Sequence, residues 1–159
     1  MGLGPVINYP CGFFDGAFAK GIGGVGFCLL LSQTHTFEFS LGTGMGTNTK
    51  VELIGLWALL HTTQMMGIPM LNVLGDSLVI INWENGIASL SPPNLHHWCR
   101  DIRKLISCFH ELSFCHIYRE YNQIADRLSK RALTLAPRIG ECSEFFDGHL
   151  VSHDMIELF

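Results

Sequence analysis

The chain has 159 residues, 48% of them hydrophobic and only 15% charged, a composition that fits one folded domain and excludes a disordered chain. No run of about 18 apolar residues is present, so no helix is expected to span a membrane, and Met-Gly-Leu-Gly-Pro lacks the basic segment and apolar stretch of a secretory leader. The net charge of −4 speaks against a uniformly basic surface, although its distribution matters more than its sum.

Residues 1–11 read as an irregular lead-in. Residues 12–18 then form a run of aromatic and small residues that suits a buried strand. It carries one carboxylate, Asp15, with no Lys or Arg before Lys20. A charge in such a strand is costly unless it meets solvent or a cationic partner, and a metal ion would serve as that partner. Gly21, Gly23 and Gly26 match G-x-G-x-x-G. That fingerprint needs a helix to open on its third glycine. Here a second strand follows over 25–31, then a turn at 33–35 and an alternating third strand over 36–41. The glycines therefore read as a strand turn, and no nucleotide cofactor is expected.

Residues 42–47 read as a flexible connector. A long helix starts at Asn48, a candidate N-cap, and stops at Gly67 and Pro69. Its apolar residues leave little polar face, which predicts burial on most sides. Glu52 lies in its first turn, and a helix dipole favours an exposed carboxylate there by less than about 1 kcal/mol, a weak reason for its placement. A fourth strand over 71–74 ends in Gly75-Asp76-Ser77, and a helix follows over 78–84. Asp76 reads as an N-cap or as a side chain delivered to the carboxyl end of a sheet.

A loop with Pro92-Pro93 spans 87–94. The helix predicted over 96–109 has an apolar stripe (Trp98, Ile102, Leu105, Ile106, Phe109), with Arg100, Arg103 and Lys104 on a solvated face. A fifth strand spans 112–118, with His116 as a packed strand residue. The last helix, 119–131, presents Ile124, Leu128 and Leu135 on one side and Ala125 and Ala132 on the adjoining one. Asp126 and Lys130, four apart, suit a surface ion pair.

After Pro137 the pattern fades. Five acids and no Lys or Arg follow residue 138, whereas residues 1–138 carry 10 bases and 9 acids, eight of the bases between Arg100 and Arg138. The second half of the body thus permits a polyanionic partner. Six cysteines form no C-x-x-C pair and read as reduced thiols of an intracellular protein. Cys108, Cys115 and His116 can be drawn as a zinc site, but their spacing fits no finger or ribbon. The expected division is a lead-in (1–11), one domain (12–136) and an acidic tail (137–159).

The element order β-β-β-α-β-α-α-β-α predicts an α/β fold. Its five-stranded mixed sheet has the first three strands antiparallel, the last two parallel to the first, and helices on its faces. Asp15, Glu52, Asp76 and Asp126 then fall at equivalent ends of central elements. Converging carboxylates repel one another. Divalent cations relieve that repulsion, and hard oxygen ligands suit Mg²⁺ or Mn²⁺.

Four pieces carry a resemblance: Phe14-Asp15-Gly16-Ala17, Thr47-Asn48-Thr49-Lys50-Val51-Glu52-Leu53, Gly75-Asp76-Ser77 and Arg119-Glu120-x-Asn122-x-x-Ala125-Asp126-x-Leu128. In this order and spacing the chain resembles the type 1 ribonuclease H family over roughly 12–135. The last piece looks most like the ribonuclease H domains of plant non-LTR retroelements and their domesticated relatives. The resemblance implies that Asp15, Glu52, Asp76 and Asp126 are catalytic, that they bind two Mg²⁺ ions (or Mn²⁺), and that the RNA strand of RNA–DNA hybrids is cleaved. It implies Asn48, Thr49, Ser77, Arg119 and Asn122 as nucleic-acid contacts, with Asn48 in the minor groove where 2′-hydroxyls are read. It also implies a chain that is part of, or derived from, a reverse transcriptase polyprotein.

Three departures are visible. The turn after Asp15 lacks the family's Asn-Pro-Gly, 118–122 lacks a histidine used for product release, and 89–94 is neutral where some members have a basic handle. They imply weaker hybrid binding and slow turnover. The alternative reading is a domesticated, non-cleaving module that binds nucleic acid or protein.

Overall fold

The computed structural model describes residues 4–5, 7–86 and 93–158. In chain order these form β1 (Cys11–Ala19), β2 (Ile22–Leu30), β3 (His35–Met45), α1 (Asn48–Met65), β4 (Met70–Gly75), α2 (Leu78–Glu84), α3 (His96–Ile106), β5 (Glu111–His116), α4 (Gln123–Ala132), β6 (Ile139–Phe146) and β7 (His149–Glu157). Short 3-10 turns stand at Pro93–Leu95 and Arg119–Tyr121. The predicted loop over 87–94 lies outside the described residues as far as 92, and so does most of the neutral stretch 89–94.

One mixed sheet has the order β5-β4-β1-β2-β3-β6-β7. The first three strands are antiparallel neighbours, and β4 and β5 run parallel to β1, as expected. The strand count corrects the prediction, because the sheet has seven strands. The acidic segment after Pro137 turns at Arg138, whose φ is 71°, pairs antiparallel with β3 as β6 and returns as β7. Acidic residues are poor strand formers when read locally. Here distant partners compensate them: Glu144 meets His35 of β3 at 2.6 Å, and Glu141 meets Arg131 of α4 at 2.9 Å.

Other boundaries shift for local reasons. The predicted connector is largely strand, since β3 runs on through Met45 and pairs with the start of β2 past a bulge at Gly23/Gly24. Thr47, not Asn48, caps α1, its hydroxyl accepting from Lys50 N at 3.3 Å. The last helix begins only at Gln123, after the 3-10 turn.

The core has two layers. Phe14, Phe27, Phe39 and Leu41 of the sheet pack with Leu53, Leu56, Leu59 and Leu60 of α1 and with Trp98 and Ile102 of α3. The helix α1 is buried nearly all round, as its composition predicted. On the opposite face Phe13, Cys28 and Leu74 pack against Ala125 and Leu128 of α4. The buried stripe of α4 is Ala125, Leu128, Ser129 and Ala132, while Ile124 is exposed. This differs from the predicted stripe because α4 lies on a glycine floor. Gly23 and Gly26 are residues of β2 and not of a turn. A Cβ on Gly26 would come within 2.5 Å of Leu128 Cβ, so only small residues fit between helix and strand.

Candidate metal centre

The strand β1 is interior to the sheet, between β4 and β2. Its parallel register with β4 sets Phe14 beside Gly75, so Asp15, midway along β1 and still paired with Gly26 of β2, lies level with Asp76, the residue just after β4. Gly16 lets the first turn of α1 approach. A Cβ there would lie 2.9 Å from Val51 Cγ1 and 3.1 Å from Glu52 N. That contact is what brings Glu52 to Asp15.

The result is a group of three carboxylates. Asp15, Glu52 and Asp76 each offer an oxygen, all within 4.8 Å of one another, and this is the only metal-competent group of three found among the described residues. Asp126 stands beside it. It is near enough to Asp15 to help raise that carboxyl's pKa, and Lys130 Nζ bonds Asp126 Oδ2 at 2.9 Å. The sequence-derived ion pair and the sequence-derived cluster thus coexist at Asp126.

Burial and mutual repulsion perturb the group strongly. Asp15 is 5% exposed, and burial, with the neighbouring charge of Asp76, pushes its carboxyl up to about 7. Glu52 is pushed up to about 9 by burial and then by Asp15 and Asp76. Its Oε2 is buried with no hydrogen-bond partner. Desolvated, like-charged oxygens with an unsatisfied acceptor fit a hard divalent cation, which would restore the ionised form of each ligand.

The other expected site residues are placed as follows. Asn48 is exposed and Thr49 half-buried in the first turn of α1, and Arg119 is exposed on the 3-10 turn. Ser77 precedes α2 as its N-cap, without a side-chain capping bond. Asn122 is 1% exposed. Its Nδ2 donates to Phe14 O at 2.9 Å and to Asp76 Oδ2 at 3.3 Å, tying β1, the end of β4 and the start of α4 together. This positioning bond was not foreseen, because an amide before a helix reads as a cap or a surface contact. Gly16 was also missed as a determinant, since only the packed structure shows what a Cβ there would strike.

The sheet order, with one acid in the middle of β1 and another just after β4, defines a ribonuclease H-like fold with a carboxylate cluster at its centre. The chain belongs to the reverse transcriptase-like family, whose model matches residues 13–132. No curated protein sequence matches it. Among solved structures it is similar to RNase H1 from the halophilic archaeon Halobacterium salinarum NRC-1, at 27% identity and a TM-score of 0.73, over 77% of this chain and 96% of that one. LC11-RNase H1, solved in complex with RNA/DNA hybrid, is 26% identical with a TM-score of 0.71, over 77% of this chain and 95% of its own. The N-terminal RNase H domain of rv2228c from Mycobacterium tuberculosis, at 24% identity, 77% and 93% coverage and a TM-score of 0.70, shares the fold. No helix among the described residues is long and apolar enough to cross a membrane.

Proposed function

We propose that the protein is a metal-dependent endoribonuclease that hydrolyses the RNA strand of RNA–DNA hybrids, with Asp15, Glu52, Asp76 and Asp126 as catalytic residues. The observation that carries this reading is the set of three carboxylates within 4.8 Å, two of them held far above their ordinary pKa, on a fold shared with RNase H1 proteins. One of those relatives was solved with an RNA/DNA hybrid. Mg²⁺, or Mn²⁺ in its place, would be bound by the four acids as two ions and would supply activation of a water and stabilisation of the leaving 3′ oxygen.

The protein's own groups divide the remaining work. Asp15, between the other acids, would be the ligand common to both ions. Glu52 and Asp76 would serve the leaving-group side and Asp126, whose side chain is 33% exposed, the side where water enters. Asn122 holds Asp76 in place. Asn48 and Thr49 in the first turn of α1, Ser77 before α2 and Arg119 on the 3-10 turn would meet the hybrid, with Asn48 reading 2′-hydroxyls. Family membership also supports descent from, or residence in, a reverse transcriptase polyprotein, and the Arg-Glu-x-Asn piece supports an origin among plant non-LTR retroelements. Such a substrate is intracellular.

The Lys130 ammonium on Asp126 favours a second reading, a module that binds hybrids without cleaving them, because that charge competes with a cation for the same oxygen. A labelled hybrid incubated with the protein and Mg²⁺ decides between them. Cleavage lost in Asp76→Asn supports the nuclease. Cleavage unaffected by Asp76→Asn overturns the assigned site. Hybrid bound but uncut at every metal concentration establishes the second reading.

A further inference from the structure

The β6–β7 ribbon lies beyond the stretch matched by the family, which ends at residue 132, and the proposed nuclease chemistry makes no use of it. It leaves β7 as the terminal strand of the sheet. Long exposed edge strands invite pairing with another chain. This one carries Leu150, Val151 and Met155 more than half exposed.

The hydrogen-bonding direction of each β7 residue follows from the register. Ile139 stands opposite Glu157, so Arg138 stands opposite Leu158, and Leu158 N donates to Arg138 O at 2.8 Å. Residues alternate in an antiparallel ladder. Counting back from Leu158, the backbone groups of Ile156 and Asp154 turn towards β6, and those of Glu157, Met155 and His153 turn outwards. Nearer the hairpin the register shifts at Glu144/Phe145, a bulge that spoils the edge there. The regular half of the edge is therefore centred on Met155.

That half is self-complementary. His153, Met155 and Glu157 are all exposed and share one face of the strand. A second copy related by a two-fold axis through Met155 places Met155 against Met155, and His153 of each copy opposite Glu157 of the other. An imidazole N–H can donate to a carboxylate across such a pair, whereas like charges directly across a ladder destabilise it. The ribbon's other acids oppose this less than the composition suggests, because Glu141 and Glu144 are already paired with Arg131 and His35. A basic strand from another protein would match Glu157 but offer the His153 imidazole no acceptor. We infer that β7 is the interface of an isologous dimer, in which antiparallel β7–β7 pairing of two copies joins their sheets edge to edge.

Sedimentation velocity of the full chain over a range of concentrations tests this. A monomer–dimer equilibrium is expected. Met155→Lys, at an exposed position that leaves the monomer core untouched, sets two ammonium groups on the axis and weakens the dimer by about tenfold or more. His153→Glu sets like charges opposite each other and does the same. The double variant H153E/E157K restores dimerisation by setting each Glu opposite a Lys. A monomer at every concentration overturns the proposal, as does a dimer indifferent to Met155→Lys. Open-ended oligomers would overturn it too, since they would indicate head-to-tail pairing of β7 with β5 at the other edge of the sheet.

Discussion

Glu52 concentrates the tension in the site, since its carboxyl is pushed from 4.5 up to about 9 and one of its oxygens has no partner. A raised carboxyl pKa means that the folded state keeps a proton that the unfolded state has already lost. Between 4.5 and about 9 the native protein therefore binds more protons, and stability falls as pH rises through that window. Asp15 adds to the same slope between 3.8 and about 7. The metal-free protein, kept in chelator, should lose melting temperature steadily from the acid to the alkaline end. Added Mg²⁺ should raise the melting temperature most at the alkaline end, where its ligands are deprotonated. Glu52→Gln should flatten the slope and shrink the Mg²⁺ effect. Thermal melts across pH with and without metal check this, and a melting temperature that climbs with pH in chelator would refute the buried, proton-holding site. At this scale the sequence was informative, because Asp15 and Glu52 are charges among apolar neighbours and need a compensating cause. Asn122 was not legible. Its two partners lie 108 and 46 residues away, and nothing local reports them.

Between elements, the site depends on how closely helices approach the sheet. Asn122 links β1 to the end of β4 from the start of α4. Asn122→Ala would leave the buried Phe14 carbonyl without its donor, at a cost of about 1–3 kcal/mol, and would free Asp76 to move. Urea denaturation should show the first effect. A fall in kcat larger than any rise in KM should show the second, whereas unchanged kcat would mean that the bond is structural only. Gly26→Val tests the other approach, that of α4 to β2. Its side chain would collide with Leu128 and Ser129 backbone, costing about 1–3 kcal/mol or more, and would lift the helix that carries Asp126. Denaturation midpoint and cleavage rate should fall together, and a variant as stable as the parent would contradict the tight packing. These contacts explain the misplaced stripe of α4. Periodicity identifies a helix and its apolar side, but here the buried side was chosen by glycines a hundred residues upstream, which leave room for Ala125, Ser129 and Ala132 and none for Ile124.

Across the whole molecule, the alternation from β1 to β3 and the strand–helix order after it were enough to predict the mixed sheet and the direction of its first five strands. The last two strands were hidden because their signal is long-range. Glu141 and Glu144 depress strand propensity locally, while Arg131 and His35, which bond them, come from α4 and β3. The consequence is a division of labour along the chain. All four acids precede residue 127, so a chain ending at Arg138 retains the candidate site yet exposes the edge of β3. It also loses the packing of Cys142 and Leu158 against the main core and the pairs Glu144–His35 and Glu141–Arg131. Removing 139–159 should lower the unfolding free energy by at least about 2 kcal/mol, the scale of one well-buried apolar side chain, and should promote association through the bared edge. Hybrid cleavage per folded molecule should survive at temperatures below the lowered transition. Denaturant titration and a cleavage assay on the same preparation separate the two quantities. A truncated chain with an unchanged midpoint would show that the ribbon contributes no stability. One that folds but no longer cleaves would show that the ribbon supports the acids through β3, a coupling that the short path from β3 across β2 to β1 makes physically reasonable.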